Sequence, residues 1–392
     1  MRRLAVVLLL ATPHLTAAQQ GQPFTPGRFD HILEGSSLRI AVAGDYGGNS
    51  LDLLGITSAA RIINDFNPSD ILLIGGLFPG NSQVRFGSRA NAALSMTITA
   101  GAWYFSASAG AGSYAGAQVP ETAALLLRAG NTVNSTVDTR NLFVRALGTR
   151  EVGIGVTRRL HAGTTGITLG AHVRHVTPWF FASGAMHSLQ DGPALTVQEE
   201  RISAQTDLTF TEGAVEGRGY AFDLFGEIEH GALRASVHLS DAGAVVVDAL
   251  VQHRAIVVRS VDLVEFAEAI DRSTPTQSRE SRAYTLPQQL EARLSRSIGS
   301  IFAAGLFVRR RSMGELGIAE FAAGAALGWS PADALTLRTG MTWNDSKQWK
   351  LSGGGNLGVG RLSLDASIET DGFQNVDHAR GLMIATSLAV LF

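Results

Sequence analysis

Along much of this chain apolar and polar residues alternate one by one. From Arg201 to Thr211, one face carries Ile202, Ala204, Thr206, Leu208 and Phe210, and the other Arg201, Ser203, Gln205, Asp207, Thr209 and Thr211. From Ala334 to Asn344, Leu335, Leu337, Thr339, Met341 and Trp343 alternate with Ala334, Thr336, Arg338, Gly340, Thr342 and Asn344. From Arg361 to Glu369, Leu362, Leu364, Ala366 and Ile368 alternate with Arg361, Ser363, Asp365, Ser367 and Glu369. A period of two is that of a β-strand with one apolar and one polar face. A soluble sandwich alternates as well, since one face meets a core and the other water. Two features favour a membrane wall. These strands run longer than the ~5–6 residues usual in globular sheets. Their polar faces are rich in Gly, Ser, Thr and Ala, which suit a confined lumen better than Lys and Glu do.

Further strands are expected at Leu38–Gly44, Ile71–Phe78, Asn91–Ala100, Trp103–Tyr114, Asn141–Leu147, Glu151–Leu160, Gly166–Phe181 and Gly219–Glu229. Later ones are expected at Ala232–Ser240, Ala244–Val251, Gln289–Ile298, Ile301–Arg309, Gly317–Trp329, Lys350–Gly358 and Gly381–Phe392. Some of these are halves of bent strands or parts of loops, and the expected architecture is an all-β transmembrane antiparallel β-barrel of about 14 strands. Three segments show helical spacing: Ser58 to Asp65, Glu121 to Ala129 and Val261 to Ile270. They read as short helices in loops or in the lumen. Ser330-Pro331-Ala332-Asp333 reads as a tight turn between strands ending at Trp329 and starting at Ala334.

Aromatic placement fits a membrane. Leu335 to Trp343 climbs ~26 Å at ~3.3 Å per residue, or roughly 20 Å along the normal when tilted ~40°. Trp329 and Trp343 therefore sit as membrane-border aromatics on either side of the apolar band. The chain stops on Phe392, and counting back in twos gives Val390, Leu388, Thr386, Ile384 and Leu382. Such a last strand, with Phe392, Val390 and Leu388 as its signal, resembles what the outer-membrane assembly machinery reads. It must pair with the first strand to remove both edges.

The N-terminus adds a compartment. Arg2 and Arg3 precede the apolar run Leu4 to Leu10, and Thr16-Ala17-Ala18 offers small residues before Gln19. This is the layout of a signal peptide over residues 1–18, leaving one barrel domain over 19–392. The 392-residue chain has no cysteine, hence no disulfide and no thiol chemistry. Charged residues make up 17%, against ~25% in soluble domains. A net charge of -2 argues against nucleic acid as a partner. After the signal segment no apolar stretch is long enough for a membrane helix.

Chemistry is sparse. Gly353-Gly354-Gly355-Asn356-Leu357-Gly358 matches a nucleotide-loop pattern, but a strand follows it where a helix is needed. His172 and His175 lie three apart on a strand and point to opposite faces, so they make poor joint metal ligands. The Arg309-Arg310-Arg311 run reads as a solvated rim. No cofactor and no metal is expected, and no enzyme activity. A hydrolase would need a Ser/His/carboxylate cluster, which spacing cannot reveal because such residues meet only in space.

Several segments carry a resemblance. Leu125-Leu126-Leu127-Arg128-Ala129-Gly130-Asn131, the strand Leu233 to Val245 with Ser240-Asp241-Ala242-Gly243, and Tyr284-Thr285-Leu286-Pro287 before Leu290-Glu291-Ala292 are the segments concerned. They resemble an uncharacterised family of bacterial outer-membrane barrels related to the transporter FadL and the secretion-associated protein PorV. In that family the first is a short helix ending in Gly-Asn, the second a strand followed by an Asp-x-Gly turn, and the third the lead-in to a late strand. The FadL side of the resemblance implies uptake or binding of a small hydrophobic ligand. The PorV side implies a structural or secretion-accessory barrel engaging a protein partner. FadL-like proteins often carry Asn-Pro-Ala near the mature N-terminus. Here Asn67-Pro68-Ser69 lies later, so the resemblance does not carry a FadL-type hatch to this chain. The bilayer and the assembly machinery are the expected partners.

Overall fold

The structure is a computed structural model that describes residues 36–48, 84–121, 136–137, 143–188, 195–198, 201–211, 215–258, 270–272, 276–312, 319–345, 347–371 and 381–392. The first half contains β1 (Ser37–Gly48), β2 (Val84–Ala100), β3 (Trp103–Val119), β4 (Thr136–Val137), β5 (Phe143–Ala162), β6 (Thr165–Ser188), β7 (Leu195–Gln198), β8 (Arg201–Thr211) and β9 (Glu216–His230). The second contains β10 (Leu233–Val258), β11 (Ile270–Arg272), β12 (Thr276–Thr285), β13 (Gln288–Ile298), β14 (Phe302–Ser312), β15 (Ala319–Ala332), β16 (Leu335–Asn344), β17 (Trp349–Val359), β18 (Leu362–Thr370) and β19 (Gly381–Leu391).

These strands form one antiparallel sheet that closes on itself. β1 pairs with β2 on one side and with β19 on the other. β8 and β9 both pair with β6 and β10, so they are two pieces of one stave. β12 and β13 likewise share β10 as neighbour. With each broken stave counted once, and the short β4, β7 and β11 set aside, the barrel has 14 strands, as the alternation implied.

Closure explains the inverted distribution of polarity. Ile154 is 72% exposed and Leu306 60%, while Arg174 is 1% exposed and Asp223 0%. Outward residues are apolar and inward ones polar, the reverse of a water-soluble sandwich and the arrangement a lipid-facing wall requires.

One end is built from tight turns. At Gly101 and Gly360, φ is 62° and 59°, and a glycine in the first position of a two-residue hairpin loop gives the turn whose twist matches the strands. Both chain ends of the described barrel lie at this turn end, where the Phe392 backbone N–H donates to the Ser36 carbonyl at 3.0 Å. The wall is uneven at the far end: β10 has 26 residues and β6 has 24, against 9 in β18.

Several sequence expectations need correction. Asn141–Leu147, described from Phe143 onward, and Glu151–Leu160 belong to one strand, β5, with a bulge at Gly148/Thr149. Ala232–Ser240 and Ala244–Val251 are also one strand: Ser240-Asp241-Ala242-Gly243 is not a turn but a bulge in β10. Asp241 there takes φ 60°, a left-handed conformation that a short polar side chain tolerates. β15 continues through Pro331 to Ala332, and its turn falls at Asp333-Ala334 after a bulge. Ile71–Phe78 and the helical segments Ser58 to Asp65 and Val261 to Ile270 lie outside the described residues, apart from Ile270 in β11; of Glu121 to Ala129 only Glu121 is described. The glycine run 353–358 lies within β17.

Candidate functional site

The lumen is organised by three features, of which the first is a belt of ion pairs. Arg174 on β6 donates to Asp223 on β9 at 2.9 and 2.8 Å, to Asp241 on β10 at 2.5 Å, and to Glu151 on β5. Asp241 lies 3.5 Å from Arg89 on β2, which also pairs with Asp45 on β1 at 3.2 Å. Arg311 on β14 donates to Asp45 at 2.9 Å and lies 3.8 Å from Glu320 on β15. Lys350 on β17 donates to the same Glu320 at 3.2 Å. Nearer the turn end, Arg309 faces Glu369 at 3.5 Å and Arg338 donates to Asp365 at 2.5 Å. Charges taken out of water persist only when paired and hydrogen-bonded, and this set is paired throughout. The sequence expectation of a solvated arginine rim is corrected here. Consecutive strand residues alternate faces, so Arg309 and Arg311 turn inward and are nearly buried, while Arg310 alone of the three is exposed.

The second feature is a change of polarity at one level. Moving away from the turn end, the next inward residue after Arg174 is Val176; after Asp223 it is Ala221; after Thr149 it is Leu147. On β10, Asp241 gives way to Val245, Val247 and Ala249. These residues join Tyr114, Phe181, Tyr284 and Leu286 in one buried apolar cluster on the inner wall, with Val215 packed against it. The Phe181 and Tyr284 rings are 4.8 Å apart. The signal was present in the run Ala244 to Val251, where apolar residues occupy both faces: Val246 and Leu250 are exposed outward while Val245 and Val247 are buried inward. A strand apolar on both sides has an apolar environment on both sides.

The third feature is a break in the wall beside that cluster. β6 pairs with β9 up to Val176↔Gly219, and pairing on that side resumes only with β8 at Met186↔Leu208. Among the described residues, 177–185 of β6 have no ladder partner on that side, although β5 pairs with them on the other, skipping Trp179 at the bulge. Pro178, which has no N–H to donate, sits at the start of the gap. Gly217 faces it with φ 143°, and a Cβ there would come within 1.9 Å of the Val246 carbonyl oxygen. Phe181 points inward into the cluster, while Trp179 and Phe180 are exposed outside.

At the belt and beneath it, toward the turn end, lies a cavity of about 300 Å³, lined by belt residues such as Arg89, Asp241 and Arg311 together with neutral side chains. Arg39, Ser95, Ser108, His172, Thr342 and Ser387 are among its lining residues. As the strand spacing implied, His172 faces this lumen, whereas His175 packs on the outward Tyr220 at 5.5 Å. Among the described residues no group of His, Asp and Glu is arranged to hold a metal ion.

Trp329 and Trp343 both point outward, 44% and 36% exposed, toward the turn end of β15 and the far end of β16. The remaining tryptophans are exposed as well: Trp103 at the turn end, where Arg158 stacks on it at 4.7 Å, and Trp179 and Trp349 toward the far end. Phe392 is exposed, and Leu388 and Val390 point outward on β19.

No protein-family model matches this sequence, and no curated protein does. Solved structures match in fold. A mutant of TodX, described as a monoaromatic hydrocarbon channel, aligns over 98% of this chain and 94% of its own with a TM-score of 0.55 and 12% identity. The Pseudomonas putida toluene transporter TodX aligns over 94% and 93% with a TM-score of 0.54 and 10% identity. CymD, also a monoaromatic hydrocarbon channel, aligns over 94% of both chains with a TM-score of 0.52 and 10% identity. At these identities the likeness is one of fold: a barrel of the kind used by hydrocarbon channels, as the FadL side of the sequence resemblance implied.

Proposed function

We propose that the protein is a bacterial outer-membrane channel for the uptake of small hydrophobic molecules. The single observation that carries this reading is the buried apolar cluster of the inner wall lying directly against the unpaired stretch of β6. A polar pore needs neither. In an outer-membrane barrel the short turns face the periplasm, so the turn end is periplasmic and the apolar cluster lies on the extracellular side. A hydrophobic molecule arrives from outside and loses its water against the cluster residues Leu147, Val176, Phe181 and Tyr284. It meets the charged belt below, which offers it no favourable surface. The route of least cost is sideways, past Phe181 and through the gap beside Pro178, to the lipid that bathes Trp179 and Phe180. The fold likeness to hydrocarbon channels supports this reading.

The same proposal includes the remaining expectations. Residues 1–18 direct export, Phe392, Val390 and Leu388 serve the assembly machinery, and Trp329 and Trp343 mark the membrane borders. The uptake role itself uses no chemistry and no cofactor. The test is binding of naphthalene to the purified, detergent-refolded barrel, followed by its intrinsic fluorescence. Saturable binding that weakens in Phe181→Asp supports the reading; the absence of saturable binding in a folded barrel overturns it and leaves the alternative of a secretion-accessory barrel.

A further inference from the structure

One row of inward residues does more than fill space. Ser106, Gly155, His172 and Asp223 stand side by side on β3, β5, β6 and β9, each the register partner of the next. Ser108 stands one inward position further from the turn end on β3, opposite Gly153. The two glycines of β5 make a slot. A Cβ at Gly155 would lie 2.6 Å from the His172 ring, and one at Gly153 would lie 2.7 Å from it. With no side chain between them, the imidazole of β6 lies across β5 and reaches β3. His172 Nε2 is 3.2 Å from Ser108 Oγ, and Nδ1 is 3.3 Å from Asp223 Oδ2. A carboxylate only accepts, so Nδ1 carries the proton and Nε2 presents its lone pair to the serine hydroxyl. Asp223 is held in turn, accepting from Arg174 at 2.9 and 2.8 Å and from the Asp241 backbone N–H at 2.7 Å. Ser108 and His172 both line the 300 Å³ cavity, together with Arg89, Asn91 and Ser106.

We propose that Ser108, His172 and Asp223 form a hydrolytic triad and that the barrel cleaves small carboxylic esters reaching the lower cavity. A nucleophile bonded to a base, a base bonded to an orienting carboxylate, and a cavity beside the nucleophile are the geometric requirements of such a site. Ser108 Oγ attacks the ester carbonyl carbon and its proton passes to His172 Nε2. The bond to the leaving alcohol breaks as that alcohol takes the proton from Nε2, leaving an acyl-serine. Water then adds to the acyl carbon and gives its proton to Nε2; the proton returns to Ser108 as the acid departs. The net change is ester plus water to alcohol plus acid. The developing oxyanion is met by hydroxyl donors of the cavity wall beside the nucleophile, Ser95 and Ser106, because the backbone N–H groups around it are used in the ladders. Ser108 and His172 are the catalytic residues, and Asp223 is a positioning residue.

The test uses the full refolded chain, shown to be folded by its heat-dependent migration in gels. Diisopropyl fluorophosphate is expected to modify Ser108, as read by peptide mass spectrometry, and p-nitrophenyl butyrate is expected to be hydrolysed. Ser108→Ala removes both signals, while Ser367→Ala, outside the cavity lining, keeps the label. His172→Gln lowers kcat at least ~100-fold. Asp223→Asn lowers kcat with KM unchanged, which a purely structural role would not do. A folded barrel in which Ser108 escapes modification, or in which Ser108→Ala hydrolyses the ester as well as the parent, overturns the proposal. Neither result bears on hydrocarbon binding at the apolar cluster.

Discussion

Arg311 on β14 and Asp45 on β1 meet at 2.9 Å although their strands stand on opposite walls of the barrel. Fourteen strands spaced ~4.8 Å apart and tilted ~40° enclose a circle roughly 28 Å across, more than two side chains can bridge. The section is therefore flattened at this level, and the belt closes it. The barrel is expected to be silent in planar-bilayer conductance recordings. Arg311→Ala combined with Asp45→Ala is expected to open steps of ion current. A parent barrel that already conducts, or a folded double variant that stays silent, would show that the belt is not the seal.

The same pair sets a stability expectation. Removing one partner of a buried ion pair leaves the other charge uncompensated and costs about 3–5 kcal/mol. Asp45→Asn and Arg311→Gln are each expected to lower the urea midpoint of the refolded barrel. The double variant should lose clearly less than the two singles together, since residues of one network are not additive.

In the apolar cluster, Tyr284→Ala removes one aromatic ring. Burial of apolar surface contributes ~25 cal/mol per Å², so losing part of one ring's contact is expected to weaken naphthalene binding about tenfold. Arg338→Gln, in the cavity at the belt, is expected to leave that binding unchanged. Titration of both variants by fluorescence separates the cluster from the cavity.

All five tryptophans of the chain are exposed on the outer wall. Their fluorescence in reconstituted vesicles is expected to be quenched most by lipids brominated near the headgroup and least by lipids brominated at the chain terminus, as border aromatics require. The opposite order would place Trp329 and Trp343 near the bilayer centre.

Phe392 is 62% exposed and packs into no core. Phe392→Ala is therefore expected to refold in detergent as the parent does, yet to reach the outer membrane several-fold less well in cells. Equal assembly in cells would remove its role as a signal.

Much of the wall was legible in the sequence, because the alternation in Ala334–Asn344 or Arg361–Glu369 directly states which face meets lipid. The contents of the lumen were not. A period of two places Arg174 and Val176 on the same face without saying that one lies in a charged belt and the other in an apolar cluster; only the register of β5, β6, β9 and β10 aligns the change into one level. Ser240-Asp241-Ala242-Gly243 has turn composition, and nothing local distinguishes a turn from a bulge that aims Asp241 at Arg174. Ser108, His172 and Asp223 are far apart along the chain and meet only because Gly153 and Gly155 clear the strand between them. The wall gap was hidden for the same reason: Pro178 announces a missing donor, but which neighbour loses its ladder depends on the pairing of β6.

The most direct test of the central claim is photolabelling of the reconstituted barrel with a small aryl diazirine, with modified residues mapped by mass spectrometry. Inward residues are expected to be labelled at the apolar cluster and at the gap, at Leu147, Phe181 and Tyr284, with Ser95 and Ser387, toward the turn end, left unmodified. Labelling of those two residues, or of no inward residue at all, would contradict a lateral hydrophobic route.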